Sequence, residues 1–359
     1  MTKTVKKLGA MLLALIVTFM PMPGVWIAYA EDEGNPVVAV FVGYVNEDGS
    51  ISSDLVLLNS ATPYYVNDSS SALETEPENW NAYFDAENGT LTLKNYRGCT
   101  VTTRTTYSGD LTIVLEGDNH IFGKSLNGIF GCANIEITSS TAGTLRIDTG
   151  REGSDSCYGI RSYSSGKTIR LSGDAKVDLK TANPAAESKV ISICCTNISI
   201  SDEAELNVEV VSGGIAYGFW GSGELRVETP HPVQFTGIGG SDHYAIAYTS
   251  SILMDHHASI SIQQKGDSIE DIYNQSFEDL KEMLAHHGYG VTGSAEDGTV
   301  TASIEAITDM DPVTSKDILD QLFTGTIIEP ESVVRSLNRL FIIGNAFRCF
   351  CILGRFSWH

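Results

Sequence analysis

The sequence predicts an all-β protein: a right-handed, single-stranded parallel β-helix with a β cap at its N-terminal end and a small α+β segment at its C-terminal end. Three observations carry that prediction. A polar–aliphatic–polar–aliphatic quartet recurs seven times, at residues 90–93, 110–113, 134–137, 168–171, 197–200, 224–227 and 251–254. Its first aliphatic residue (Leu91, Leu111, Ile135, Ile169, Ile198, Leu225, Ile252) steps by 20, 24, 34, 29, 27 and 27 residues, the span of a solenoid coil. A second alternating segment follows a turn at Gly117, Gly173 or Asp202, as in 144–147, 176–179 and 205–208, and a third short one follows that. Three strands and three turns per repeat fit a parallel β-helix coil. A leucine-rich repeat lacks the extra strands and carries a Leu-x-x-Leu-x-Leu-x-x-Asn pattern that is absent from this chain.

The elements follow in order. Residues 1–30 form a secretory signal: Lys3, Lys6 and Lys7 precede an apolar run from Leu8 to Met20, and Ala28-Tyr29-Ala30 offers a small-x-small cleavage site. The run is short of the ~20 residues a spanning helix needs. The protein is therefore expected to be secreted or extracellular, associated with a cell surface, with no membrane insertion beyond the signal. Without the three N-terminal lysines the formal charge of −22 becomes −25. So acidic a chain repels nucleic acid and anionic membranes, and meets an acidic polymer only through a bridging divalent cation. No cofactor is called for, with calcium the one ion left open.

Residues 31–88 are expected to cap the helix with strands around 37–44, 63–66 and 80–84, and the coils to fill 89–265. Period-2 alternation puts Ile129, Ile160, Ile193, Phe219 and Ile246 in one inward column. Over 266–310, Ser276 begins a helix with Phe277, Leu280 and Leu284 on one face, and Gly288 ends it. A hairpin over 291–307 then turns at Asp297-Gly298. In the tail, 311–359, a short helix at Thr314 to Phe323 leads to a basic, apolar stretch interrupted by Arg339 and Arg348. Its reading stays divided between an anchor and a non-native or truncated end. Seven cysteines, an odd number without Cys-x-x-Cys spacing, signal neither a zinc site nor a disulfide framework. They read as small buried residues, with Cys194 and Cys195 on opposite faces of a strand.

The segments Asn79-Trp80-Asn81-Ala82-Tyr83-Phe84-Asp85 and Asn88-Gly89-Thr90-Leu91-Thr92-Leu93-Lys94-Asn95-Tyr96 resemble the entry to the helix in many secreted proteins of Gram-positive gut bacteria. The stretch Gly109 to Asn119 resembles their second coil. Over residues 79 to 262 the chain is similar to the pectate-lyase-like β-helix superfamily, including carbohydrate-binding members without evident activity. That resemblance implies the fold; the superfamily hosts lyases, hydrolases, adhesins and binders alike.

Catalytic signals are sparse. Ile252-Leu253-Met254-Asp255-His256 is similar to a lyase motif with Leu253 replacing a tryptophan, but the Arg-Asp pairing and acidic cluster expected beside it are missing. Acidic residues such as Asp148, Glu152, Asp155, Asp202, Glu203 and Glu205 read as solvated turn residues, and a hydrolase needs two of them facing each other. The doublets His256-His257 and His286-His287 read as surface histidines rather than a metal site. No catalytic or metal residue is assigned. The binding expectation rests on a column: Gly128, Gly159, Ser192, Gly218 and Ala245 precede the inward aliphatics and by strict alternation point outward, forming a shallow trough. Trp220 and Arg161 share that parity, the indole suited to a sugar face and the guanidinium to a uronate. The candidate binding residues are Trp220, Arg161, Gly159, Gly218, Tyr163 and His243. The expected function is non-catalytic binding of a polysaccharide, a host or cell-surface glycan, or another surface; the alternative is a polysaccharide lyase or glycoside hydrolase of the same superfamily.

Overall fold

The computed structural model describes residues 35–307, except 47–50, 125, 151, 152, 154 and 155. The signal segment, the tail from 308 with Cys349 and Cys351, and the acidic residues Glu152 and Asp155 lie outside the described residues. The chain winds as a right-handed parallel β-solenoid of about six turns. Each full coil contributes one strand to each of three sheets. Sheet I contains Leu111–Glu116, Ile135–Ser139, Thr168–Gly173, Asn197–Ile200, Glu224–Val227 and Ser251–Met254. Sheet II contains Asp118–Gly123, Thr144–Gly150, Lys176–Asn183, Glu205–Ser212, Val233–Ile238 and Ile260–Lys265. Sheet III contains Asn127–Gly131, Cys157–Ser162, Lys189–Cys195, Ile215–Gly221 and Asp242–Ala247. A short first coil adds Thr90–Lys94, Arg97–Gly98 and Val101–Thr102 to the three sheets.

Alternation explains the core. In sheets I and II every second residue is buried, as in Leu145, Ile147 and Thr149, and aligned inward residues stack from coil to coil. Leu145 lies beside Val177, and Val177 beside Leu206. In sheet III, Ile129, Ile160, Ile193, Phe219 and Ile246 pair in register and are fully buried. Each such side chain contributes about 1.5–3 kcal/mol by leaving water. The link from sheet I to sheet II is tight. Gly117 alone joins two strands with φ +66°, and Asp202 takes φ +57° at the equivalent corner, the left-handed region that glycine and Asp/Asn tolerate best.

Two expectations need correction. The first quartet pairs with the second two residues further along, Leu91 with Ile113 rather than Leu111. A shift of two keeps every side chain on its face, so burial pattern cannot distinguish the two registers. More consequentially, sheet III breaks alternation. Gly159 and Ile160 both face inward, and so do the matching pairs along the column. A Cβ on Gly128 would sit 2.5 Å from Ile147 Cγ2, one on Gly159 would sit 2.9 Å from Thr181 Oγ1, and one on Gly218 would sit 2.4 Å from Phe235 Cδ2. Ser192 and Ala245, fully buried, complete the row. These residues are small because the inward side chains of sheet II press against the backbone there, so the outward trough does not exist.

Both ends are covered. Ala39–Val45 runs antiparallel to Ile51–Asn59 and to Val101–Thr102, covering sheet III. Tyr64–Tyr65 and Ala82–Asp85 extend sheet I ahead of Thr90–Lys94. At the far end, Thr299–Ala306 pairs antiparallel with Ile260–Lys265 and with Tyr289–Glu296, continuing sheet II. The hairpin turns at Asp297 and Gly298, both at positive φ. The helix Phe277–Ala285 is N-capped by Ser276 Oγ, which accepts from Asp279 N–H, and buries Leu280 and Leu284. The reciprocal capping box belongs to the 3-10 turn Ile269–Ile272, held by Ser268 and Asp271. Caps of this kind cover the open coil ends, where unpaired strand groups invite aggregation, and leave the edge to antiparallel cap strands.

Candidate functional site

The outer face of sheet III is built from three rows that cross the strands. Lys189, Ile215 and Asp242 form one; Tyr158, Ile191, Tyr217 and Tyr244 the next; Arg161, Cys194, Trp220 and Ala247 the third. The inward doublet produces this face. It rotates the tyrosines outward although they lie two residues before the inward aliphatics. Ile191, Tyr217 and Ala247 form an apolar cluster separate from the main core, with Tyr158, Cys194, Trp220 and Tyr244 packed against it. Cys195 packs instead on the main core, so the adjacent cysteines do occupy opposite faces.

The rings form a continuous platform. Tyr217 stacks on Tyr244 with centroids 5.7 Å apart, and its ring lies 5.3 Å from Trp220, which lies 5.4 Å from Tyr248. One cation lies over it and a second over the neighbouring rings of Tyr158 and Tyr163. Lys189 Nζ stands 3.4 Å from the Trp220 centroid, and Arg161 Cζ stands 4.3 Å from Tyr158 and 5.4 Å from Tyr163. Neither makes an ion pair among the described residues. Burial holds Lys189 below the ordinary lysine range. Burial also lifts the Cys194 thiol, against the opposing pull of Arg161 and Lys189. The Tyr217 hydroxyl is pushed up to about 12, first by burial and then by Tyr248. The face thus offers ring surfaces, hydroxyls and two cationic donors whose charge is balanced only by π-systems.

Trp220 and Arg161 point outward as expected, in one row but separated by Cys194. Tyr163, at 62% exposure, flanks Arg161. Gly159 and Gly218 face inward. His243 is 1% exposed and lies inside the last coil, beside Gly237. The sequence reading missed Lys189, Tyr158, Tyr217, Tyr244 and Tyr248. A signal was present in the repeated Tyr-Gly-aliphatic and Tyr-Ala-aliphatic triplets at 158, 217 and 244. Strict alternation assigns those tyrosines to the core, where a stacked column of them has no room beside Phe219 and Phe235.

The outer face of sheet II differs in kind. Along one row His120, Arg146, Asp178, Asn207 and Gln234 stand side by side; along the next, Asp148, Lys180, Glu209 and Thr236. Carboxylates of successive coils therefore do converge beside basic residues, though here each already has a partner. Asp148 accepts from Arg146 Nε at 2.6 Å and lies 2.7 Å from His120 Nε2, Asp178 accepts from Asn207 Nδ2 at 2.7 Å, and Lys180 pairs with Glu209. Between the rows runs a shallow groove of about 300 Å³, adjoined by a second of about 350 Å³.

Asp255, His256, His257, His286 and His287 are exposed at the C-terminal end. Among the described residues, no group of three or more His, Cys, Asp or Glu side chains is placed to hold a metal ion. The five described cysteines are free thiols. No protein-family model, curated protein or solved structure matches this chain.

Proposed function

We propose that this chain is a secreted, non-catalytic β-helix protein of pectate-lyase-like type that binds polysaccharide, or a glycan-bearing surface, through the outer face of sheet III. The observation that carries the proposal is the pair Lys189 and Arg161, lying over aromatic rings without carboxylate partners among the described residues, in a chain of net charge −22. A sugar places its C–H face on such rings, while its hydroxyl or acid groups accept from the ammonium and guanidinium. An isolated exposed Trp or Arg needs no explanation. Four rings in mutual contact, with Tyr217 largely buried beneath the others, and two cations without an ion pair among the described residues form one patch, and such patches mark interaction sites. The rows of this face carry a single carboxylate, Asp242 at the margin, where a hydrolase needs two across a cleft. For this face, that supports binding over hydrolysis. Secretion rests on residues 1–30 and their signal-like order of basic, apolar and small residues.

A glycan array probed with and without calcium tests the proposal. Trp220→Ala and the double variant Lys189→Gln/Arg161→Gln should each weaken binding of the recognised glycan by about tenfold or more, the equivalent of one lost well-placed interaction. Full retention of binding in both variants, or turnover of any bound polysaccharide, rejects it.

A further inference from the structure

We infer that the groove on the outer face of sheet II is a second, independent binding site, and that its ligand is a neutral polysaccharide chain lying along the solenoid axis. The placement of the polar groups carries this. Arg97 pairs with His120, and from there one row continues through Arg146, Asp178 and Asn207 to Gln234. Six strands and five spacings give a track of about 24 Å. A linear sugar chain along this axis meets the same two rows at every coil. The two adjoining concavities share Arg146 and Asp178, so they form one track.

The chemistry selects the ligand. Arg146, Asp148, Asp178, Lys180 and Glu209 bring two positive and three negative charges; Arg146 pairs with Asp148 along the same strand, Lys180 with Glu209 across to the next, and Asp178 accepts from the Asn207 amide. Paired in this way they present little net field, so a charged polymer gains no steering from them. They remain strong hydrogen-bonding groups, fixed in position by their own pairing. Asp178 keeps a second carboxylate oxygen, Asn207 its amide carbonyl, and Gln234 stands exposed at the end of the row. Hydroxyls, which donate and accept, match such a mixed set. At the N-terminal end Phe122 sits 4.7 Å from the His120 ring with Arg97 above it, a flat apolar element beside the polar track. With Arg97 and Asp118 at the N-terminal end included, the lining holds three Arg/Lys against four Asp/Glu; that slight negative excess and the acidity of the whole chain disfavour a polyuronate here, in contrast to the cationic face of sheet III.

Calorimetric titration of the full chain tests this with cellohexaose, xylohexaose and mannohexaose, their disaccharides, hexagalacturonate and hexalysine. At least one neutral hexaose should bind, about tenfold or more tighter than its disaccharide. Asn207→Ala and Gln234→Ala, both on the outer face, should each weaken that binding about fivefold or more while leaving the thermal midpoint unchanged. Trp220→Ala should leave it intact. Absence of binding by any neutral hexaose overturns the inference, as does binding insensitive to Asn207→Ala and Gln234→Ala. Preferential binding of hexalysine overturns it in favour of a basic peptide. Loss of hexaose binding in Trp220→Ala also overturns it, and assigns the ligand to sheet III instead.

Discussion

Sheets II and III of this solenoid are built by the same coils, yet they treat their outward residues in opposite ways. Sheet II keeps strict alternation, and its outer charges neutralise one another, Arg146 with Asp148 along one strand and Lys180 with Glu209 across two. Sheet III turns two successive residues inward in each strand, and what it presents outward is largely aromatic, with cations whose partners among the described residues are rings. A β-face that satisfies its own charges gains coil-to-coil register. A face that leaves cations over partly buried rings, without ion pairs of their own among the described residues, retains interaction capacity for something else. The inward doublet is the structural cause of the second behaviour, because it is what puts Tyr158, Tyr217 and Tyr244 outside.

The doublet can be broken directly. Gly218→Val should damage the fold more than any change on the outer faces, because its Cβ would lie 2.4 Å and 2.6 Å from atoms of the Phe235 ring. Overpacking of this kind costs about 1–3 kcal/mol, at times more. Urea unfolding measures it. An unchanged midpoint means that Gly218 faces solvent and that the alternation is unbroken. Ala245→Gly, in the same row but already carrying a Cβ in the core, provides the matched control, with a loss of about 1 kcal/mol.

That doublet also explains how much was legible in the sequence. The column Ile129, Ile160, Ile193, Phe219 and Ile246, the quartets of sheet I and the alternating second strands all follow from period two, and all are in place. One broken step then displaced several residues together. Everything on the N-terminal side of the aliphatic residue changed face: Gly159 and Gly218 moved in, the tyrosines moved out, and His243, two residues before Ala245, went into the core. Everything on the C-terminal side, Arg161 and Trp220 included, kept its expected face. Within any one strand nothing distinguishes an outward glycine from an inward one; the recurrence of the Tyr-small triplets is the one hint, and the clash with Thr181 or Phe235 comes from a different strand. The groove of sheet II was hidden for another reason. Its residues are ordinary alternating polar positions, and only the register between coils aligns them into rows.

His243 gives a prediction of intermediate size. Its imidazole is buried in the last coil with neither ring nitrogen in good hydrogen-bond geometry, the Ile238 backbone being an imperfect partner, and its backbone carbonyl accepts from Gln264 Nε2. Burial lowers its pKa from the ordinary 6.5; Lys265 adds to that, while Asp242 and the Ile238 backbone oppose it. A histidine whose folded value lies below its unfolded value contributes full stability above the unfolded value. It loses that stability as the pH falls below 6.5 toward the folded value. His243→Leu should therefore flatten the fall in thermal midpoint between pH ~7 and ~5. Since both proteins carry the same remaining histidines, the difference between the two curves isolates this one. Parallel curves mean that His243 is protonated in the fold, or is not buried.

The smallest effect belongs to the ladder of sheet II. Lys180 and Glu209 are each between a third and a half exposed, so water and salt screen their attraction. Exposed pairs of this kind are typically worth about 0–1 kcal/mol. A double-mutant cycle with Lys180→Met and Glu209→Met should return a coupling within that range, shrinking as salt is raised. A coupling well above it would mean that the groove is less hydrated than its exposure implies and that its charges are fixed by the fold rather than by water. The same measurement on Lys189 and Trp220 completes the comparison. A cation held over a partly buried ring is less screened, with coupling of about 0.5–2 kcal/mol. If the two couplings prove equal and equally salt-sensitive, the contrast between the faces is one of composition only. If the Lys189–Trp220 coupling is larger and outlasts salt, sheet III carries its cations in a partly desolvated setting, where a ligand's negative or hydroxyl groups meet them at full strength.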